Sequence, residues 1–152
     1  MINNTAISVF DGEYAFLSNF YESKIVHKDM TFPTVEHAFQ AAKSLSEEEQ
    51  AAISIAKTPG IAKRLGRKVL LRPDWEEIKE KIMYECVKEK FKEPVLREKL
   101  LNTYPAELIE GNTWHDNYWG DCSCEKCKNI KGKNSLGKIL MKVRSEIAEE
   151  IN

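Results

Sequence analysis

The sequence predicts an α+β fold, predominantly α-helical, as a single compact domain over residues 1–152 with a small β element. Three observations carry that expectation. Apolar residues recur at helical spacing in several segments after residue 34. Short runs of Val, Ile, Thr and Phe are confined to the first third. Punctuating residues divide the chain at intervals that suit short helices. A chain of 152 residues is long enough to bury one core.

The elements follow in order. Ile7–Phe10 and Lys24–Phe32 read as strands, and Lys28-Asp29 can turn the second run into a hairpin. Pro33-Thr34 closes it, and Thr34 can cap a helix from Val35 to Leu45. Ser46-x-x-Glu49 is a capping box for a second helix holding Ala52, Ile53 and Ala56. Pro59 suits the first turn of a third helix ending at Leu65. Asp74-x-x-Glu77, a variant of the box, opens a long helix with Ile78, Ile82, Cys86 and Phe91 on one stripe. Pro94 begins another, carrying Leu96, Leu100 and Leu101. Ser135 caps the last, where Leu136, Leu140, Val143 and Ile147 form an apolar stripe. Between Thr103 and Ser135 the periodicity lapses, yet Trp114 and Trp119 argue against disorder. A long irregular segment of that kind is a first candidate for a site.

Composition narrows the function classes. Hydrophobic residues at 42% and charged residues at 31% exclude a disordered chain. A net charge of −1 excludes a global field toward nucleic acid or anionic membrane. No apolar run reaches the ~20 residues that span a bilayer, so no membrane partner is expected. No basic stretch followed by an apolar one opens the chain, and a cytoplasmic location is the expectation. Of the four cysteines, Cys122, Cys124 and Cys127 fall within six residues, and in a reducing compartment they are free thiols or metal ligands.

Four constellations can carry chemistry. Glu36, Gln40 and Lys43 stand at i, i+4 and i+7 on one helix face, while Val35, Phe39 and Ala42 share a neighbouring face that can enter the core. A carboxylate, an amide and an amine in a row suit acid–base and nucleophilic work; a solvated charged face fits the same spacing. His37 between them reads as structural or solvent-facing. Asp116-Asn117-Tyr118-Trp119-Gly120-Asp121 suits a sugar or base, the ring stacking and the carboxylate taking hydroxyls, or is a surface loop pinned by a tryptophan. Gly132-Lys133-Asn134-Ser135-Leu136-Gly137 runs into a helix whose N-terminus favours anions. Cys122-x-Cys124-x-x-Cys127 offers three thiolates; a structural zinc would need a fourth ligand from His115, His27, His37 or Cys86, and reduced loop thiols are the other reading.

Together the segments Phe16-Leu17-Ser18-Asn19-Phe20, Phe32–Lys43, Leu65-Gly66-Arg67, Trp75, Lys90-Phe91, Asp116-x-x-Trp119-Gly120 and Gly132-x-Asn134-x-Leu136-Gly137-x-x-Leu140-Met141-x-x-Arg144 resemble the NADAR superfamily, in its order and over nearly the whole chain. The resemblance extends to its bacterial N-glycosidases acting on riboflavin-pathway intermediates. It implies a mostly helical fold and a pocket joining the Ser18–Phe20 loop, the Glu36/Lys43 face and the Trp119/Asn134 loop. It implies hydrolysis of an N-glycosidic bond between ribose and a base, in phosphoribosylamino-pyrimidine intermediates or in ADP-ribosylated guanine, with DNA or RNA as carrier in the second case. Lys43 matches the lysine taken as a Schiff-base nucleophile in members of the second kind. Glu36 then serves as acid/base and Asp116 holds ribose hydroxyls or stabilises the cation. Ser18, Asn19, Phe20, Gln40, Arg67, Trp75, Trp119, Gly120, Gly132, Asn134 and Gly137 are the expected substrate-binding residues. The reaction requires no cofactor. The Cys122–Cys127 stretch departs from the family, which is Gly-rich there. Two other readings stay open: a non-catalytic ADP-ribose or nucleotide reader, and a zinc-stapled module gripping nucleic acid through Lys126, Lys128, Lys131 and Lys133. Oligomeric state stays open.

Overall fold

The computed structural model describes residues 5–151. In chain order the elements are β1 (Ala6–Ile7), a 3-10 helix (Gly12–Leu17), β2 (Ile25–His27), β3 (Met30–Phe32), α1 (Val35–Ala42), α2 (Glu47–Ser54), α3 (Pro59–Gly66), α4 (Trp75–Lys90), α5 (Pro94–Leu101), β4 (Glu107–Leu108), β5 (Gly111–Asn112), β6 (Asp121–Cys122) and α6 (Ser135–Ile151). Helices dominate an α+β architecture, as expected. The β content is three separate two-stranded ladders. Contacts gather the chain into two compact units, one of residues 19–92 and one of residues 1–18 with 93–152.

In the unit of residues 19–92, β2 and β3 pair antiparallel, with Ile25 opposite Phe32 and His27 opposite Met30. Lys28 and Asp29 turn the hairpin at φ 50° and 66°, the left-handed pair that a two-residue turn demands. Thr34 is extended, and its hydroxyl accepts the His37 N–H, so the strand ends and α1 begins at one residue. α1 packs against α2, α3 and α4. Seven of its residues, Val35 to Ala41, are therefore buried, including the polar ones.

Helix ends depart from expectation where a stronger partner intervenes. α1 stops at Ala42 rather than Leu45, because Lys43 already turns its N–H to the Gln40 and Ala41 carbonyls while its own carbonyl accepts from Arg72 N. Ser46 caps α2 through the Glu49 N–H at 3.3 Å. The box is only half made: the Glu49 carboxylate accepts from Ser44 Oγ and the Leu70 N–H. α3 extends one residue past Leu65, starting from Thr58 as cap with Pro59 in its first turn. Asp74 does not cap α4 with its side chain. Its carboxylate is held by the Arg72 guanidinium at 2.7 and 3.1 Å, a charge-assisted pair that outcompetes a neutral N–H.

In the other unit, β1 and β4 pair in parallel, Ile7 against Leu108, so the expected strand Ile7–Phe10 shrinks to two residues. β5 and β6 also pair in parallel. α6 packs on α5 and β4 through Leu136, Leu140, Val143 and Ile147, all buried. Ser135 is the first residue of α6 rather than its cap. Asn134, at φ 53°, precedes it. Arg144, buried on the same helix, donates to Thr103 Oγ1 and the Ala106 carbonyl, both at 2.9 Å. Among the described residues no helix is long and apolar enough to cross a membrane.

Candidate active site

On the Glu36/Gln40/Lys43 face, Glu36 and Gln40 are buried and Lys43 is half-buried. Glu36 is 8% exposed and Gln40 4%, because α3 lies along this face. The close approach depends on Gly66: a Cβ there would stand 1.9 Å from Gln40 Oε1, a distance no side chain can hold. Gln40 Nε2 donates to Glu36 Oε2 at 2.5 Å, and the Glu36 N–H donates to the Asn19 carbonyl at 3.0 Å. Asn19 donates its Nδ2 to Met83 Sδ, which fixes the loop leading to α1.

Burial sets the chemistry of this face. Loss of solvent pushes the Glu36 carboxyl above its ordinary range; the Gln40 hydrogen bond and the charges of Lys63, Lys43 and His37 offset part of that rise. Loss of solvent pushes the Lys43 amine below its ordinary range, opposed by Glu36 and reinforced by Arg67 and Lys63. An acid held toward its neutral form thus sits near an amine moved toward its free-base form. Arg67 is exposed at the end of α3. Phe20 is exposed as well. Trp75 is buried and packs on Phe39 with ring centroids 5.0 Å apart, so its large surface serves the core. His37 also has a structural post: Nε2 meets the Ala56 carbonyl at 3.0 Å and Nδ1 meets Thr34 Oγ1 at 2.7 Å. A carbonyl can only accept, so Nε2 carries a hydrogen.

The loop of residues 109–134 is built differently, with its polar atoms spent on one another. Asn112 Oδ1 accepts the Trp114 and Asp116 N–H groups, each at 3.2 Å. Its Nδ2 donates to the Asp116 carbonyl at 2.8 Å. Asp116 Oδ1 accepts the Tyr118 and Trp119 N–H groups at 3.1 and 2.9 Å, an Asx turn. Tyr118 and Trp119 meet edge to face, centroids 4.9 Å apart. Asn134 donates Nδ2 to the Leu108 carbonyl and accepts the Glu110 N–H on Oδ1, both at 2.9 Å. The amide expected to hold substrate oxygens is thus a strut between α6 and β4. Gly137 serves the same junction, since a Cβ there would lie 2.1 Å from the Leu108 carbonyl oxygen. The anion site expected at the start of α6 is filled by the protein: Ser135 and Leu136 N–H donate to the Tyr118 and Trp119 carbonyls at 3.0 and 2.9 Å. Gly120 and Gly132 are buried, with Gly132 N–H on Asp121 Oδ1 at 2.9 Å. Ser18 ends the 3-10 helix.

Within the same loop, His115, Cys122, Cys124 and Cys127 bring one donor atom each to within 4.8 Å of one another. This cluster can hold a metal. His27 and Cys86 lie elsewhere: His27 pairs with Glu85 at 3.0 Å, and Cys86 is buried in α4. Nearby lysines are partly committed, Lys128 to Glu125 at 2.7 Å and Lys133 over the Tyr118 ring at 4.9 Å.

These elements occur in known proteins in the same order. The NADAR domain family model matches residues 8–148. The chain belongs to the NADAR family. N-glycosidase YbiA of Shigella flexneri serotype 5b is 41% identical over 141 residues, covering 91% of this chain and 84% of the relative. The Nostoc punctiforme protein N-glycosidase Npun_R5314 is 41% identical over 140 residues, covering 88% and 86%. The NMR structure of Escherichia coli YbiA superposes with a TM-score of 0.81 at 38% identity, covering 99% of this chain and 89% of that one. This NADAR chain is an enzyme, a hydrolase of N-glycosyl compounds.

Sequence reasoning gave no role to three residues. Lys63 acts electrostatically on both Glu36 and Lys43, and only the packing of α3 on α1 reveals it. Lys90 is 2% exposed, its ammonium pushed down to about 7 by burial. Its Nζ lies 5.6 and 5.3 Å from the Tyr21 and Phe91 ring centroids. Asn112 organises the loop, and an asparagine before a tryptophan carries no signal of that.

Proposed function

We propose that this NADAR enzyme hydrolyses the N-glycosidic bond between a ribose 5-phosphate and an aminopyrimidine, with Lys43 as nucleophile and Glu36 as general acid. The observation that carries the proposal is the pair itself: burial drives Glu36 toward its acid form and Lys43 toward its free amine.

The lysine nitrogen attacks C1 as the bond to the leaving nitrogen breaks through an oxocarbenium-like state. The departing nitrogen takes the Glu36 proton. The C1 adduct opens to an imine, the ring oxygen receiving the proton released by the lysine nitrogen. Water, deprotonated by the Glu36 carboxylate, adds to C1 and frees the sugar aldehyde and the amine. Lys63 and Arg67, the cations that depress the Lys43 amine, are suited to a phosphate. Asp116 Oδ1 is spent on the Tyr118 and Trp119 N–H groups of its own loop. A metal held by the thiols takes no part, because four protein donors leave no open position.

The pyrimidine is favoured over ADP-ribosylated guanine by a relative's name: the maize Riboflavin biosynthesis protein PYRR, chloroplastic, is 36% identical over 152 residues that cover 88% of this chain and 23% of that protein. The test offers purified enzyme the phosphoribosylamino-pyrimidine and, separately, guanine-ADP-ribosylated DNA, each with borohydride trapping. Release of ribose 5-phosphate and a sugar-sized mass gain on Lys43 are expected with the first. Release from the DNA alone transfers the assignment to the second substrate and its nucleic-acid carrier. Binding of ADP-ribose without turnover of either makes the protein a reader.

A further inference from the structure

We propose that His115, Cys122, Cys124 and Cys127 bind one zinc ion that holds the loop of residues 109–134 in shape; this stands independently of the glycosidase reading. The donor set is three sulfurs and one imidazole nitrogen, with every pair within 4.8 Å. His115 Nδ1 stands 3.2 Å from Cys124 Sγ and 3.5 Å from Cys127 Sγ. A tetrahedral zinc with ordinary bond lengths separates sulfur from nitrogen by about 3.6 Å and sulfur from sulfur by about 3.8 Å. The side chains therefore already approach the corners of such a site, and none of the thiols is joined in a disulfide.

The backbone is arranged around the same point. The N–H groups of His115 and Cys124 both aim at Cys122 Sγ, at 3.3 and 3.4 Å, donors that stabilise a thiolate more than a thiol. The Cys127 N–H closes a turn on the Cys124 carbonyl at 3.0 Å. His115 adopts φ 69°, a left-handed conformation uncommon outside glycine. That conformation brings the imidazole to the sulfurs.

Beside its hydrogen bonds the loop has little apolar support. From residue 113 to residue 133 the buried residues are Gly120, Cys122, Cys127 and Gly132, with no aliphatic or aromatic side chain among them. Ordering this many residues costs conformational entropy that apolar burial here does not offset. A metal whose ligands come from positions 115 to 127 supplies that stabilisation on folding. Three sulfurs with one imidazole in a closed tetrahedral set favour zinc over magnesium or calcium, which take oxygen ligands. Binding releases three thiol protons to solvent and involves no change of oxidation state.

The test measures metal, not turnover, so its failure and that of the glycosidase reading are separable. The full chain, purified under reducing conditions, is analysed for zinc, then titrated with an organomercurial. One zinc per chain is expected, released as the thiols react. Cobalt exchanged into the site should show tetrahedral ligand-field bands with thiolate charge transfer. His115→Cys should retain one metal with stronger charge transfer, and Cys122→Ser should lose it. The proposal is overturned if reduced protein given excess zinc and desalted retains a substoichiometric amount. Full retention by a Cys124→Ser/Cys127→Ser double variant overturns it equally, since the metal then lies elsewhere.

Discussion

The face of α1 and the loop of residues 109–134 contain similar polar residues and use them oppositely. In the loop, Asn112, Asp116, Asn117 and Asn134 each spend side-chain atoms on the protein's own backbone. On α1 and at its end, Glu36 is buried and Lys43 half-buried without a partner strong enough to restore their ordinary titration. Fully satisfied groups make a scaffold, and incompletely compensated ones make reagents. The comparison separates architecture from chemistry among motifs that look equally functional in the sequence.

The largest effect expected from breaking it comes from Lys43. Lys43→Arg keeps the positive charge but never yields a free amine, so turnover and the borohydride-trapped adduct should both vanish. Survival of turnover would end the covalent mechanism. Glu36→Gln keeps an acceptor for Gln40 Nε2 and removes the acid, with a loss of about 10²–10⁴-fold in kcat. The wild-type pH profile should be bell-shaped, because the active pair holds one proton between two sites. In Glu36→Gln the alkaline limb should disappear while the Lys43 limb remains. Thermal melts of the same variant should be at or above wild type. A carboxyl whose value is raised on folding loses stability as pH rises from its ordinary value near 4.5, and the amide lacks that loss.

Asn112→Ala probes the scaffold. It leaves part-buried backbone groups of Trp114 and Asp116 without partners and should cost about 1–3 kcal/mol in urea unfolding. An unchanged midpoint would mean that the loop does not rely on this side chain. The smallest expected effect comes from Lys90→Met. The Lys90 amine falls from an ordinary 10.5 to about 7 on folding, so stability is lost as pH falls through that window. Removing the amine should stabilise the protein at pH 6, with the gain fading toward pH 10. A gain equal at both pH values would refute the burial argument.

Local signals were legible without coordinates. Thr34, Ser46, Pro59 and Pro94 mark helix starts because capping involves neighbours in sequence, and Lys28-Asp29 marks its turn for the same reason. Asp74 and Glu49 misled because partners outside the capping pattern, Arg72 for the first and Ser44 with Leu70 for the second, took their carboxylates. The family was legible because its motifs are ordered along the chain. Spacing alone determined that Glu36, Gln40 and Lys43 share a face and that three cysteines lie close together. Only tertiary structure decided that Glu36 and Gln40 are buried, that Lys63 acts on this face, that His115 rather than His27, His37 or Cys86 completes the thiol cluster, and that Asn134 is a strut. The physical reason is that periodicity fixes directions around a helix axis, whereas burial, and with it proton affinity, depends on what distant segments pack there.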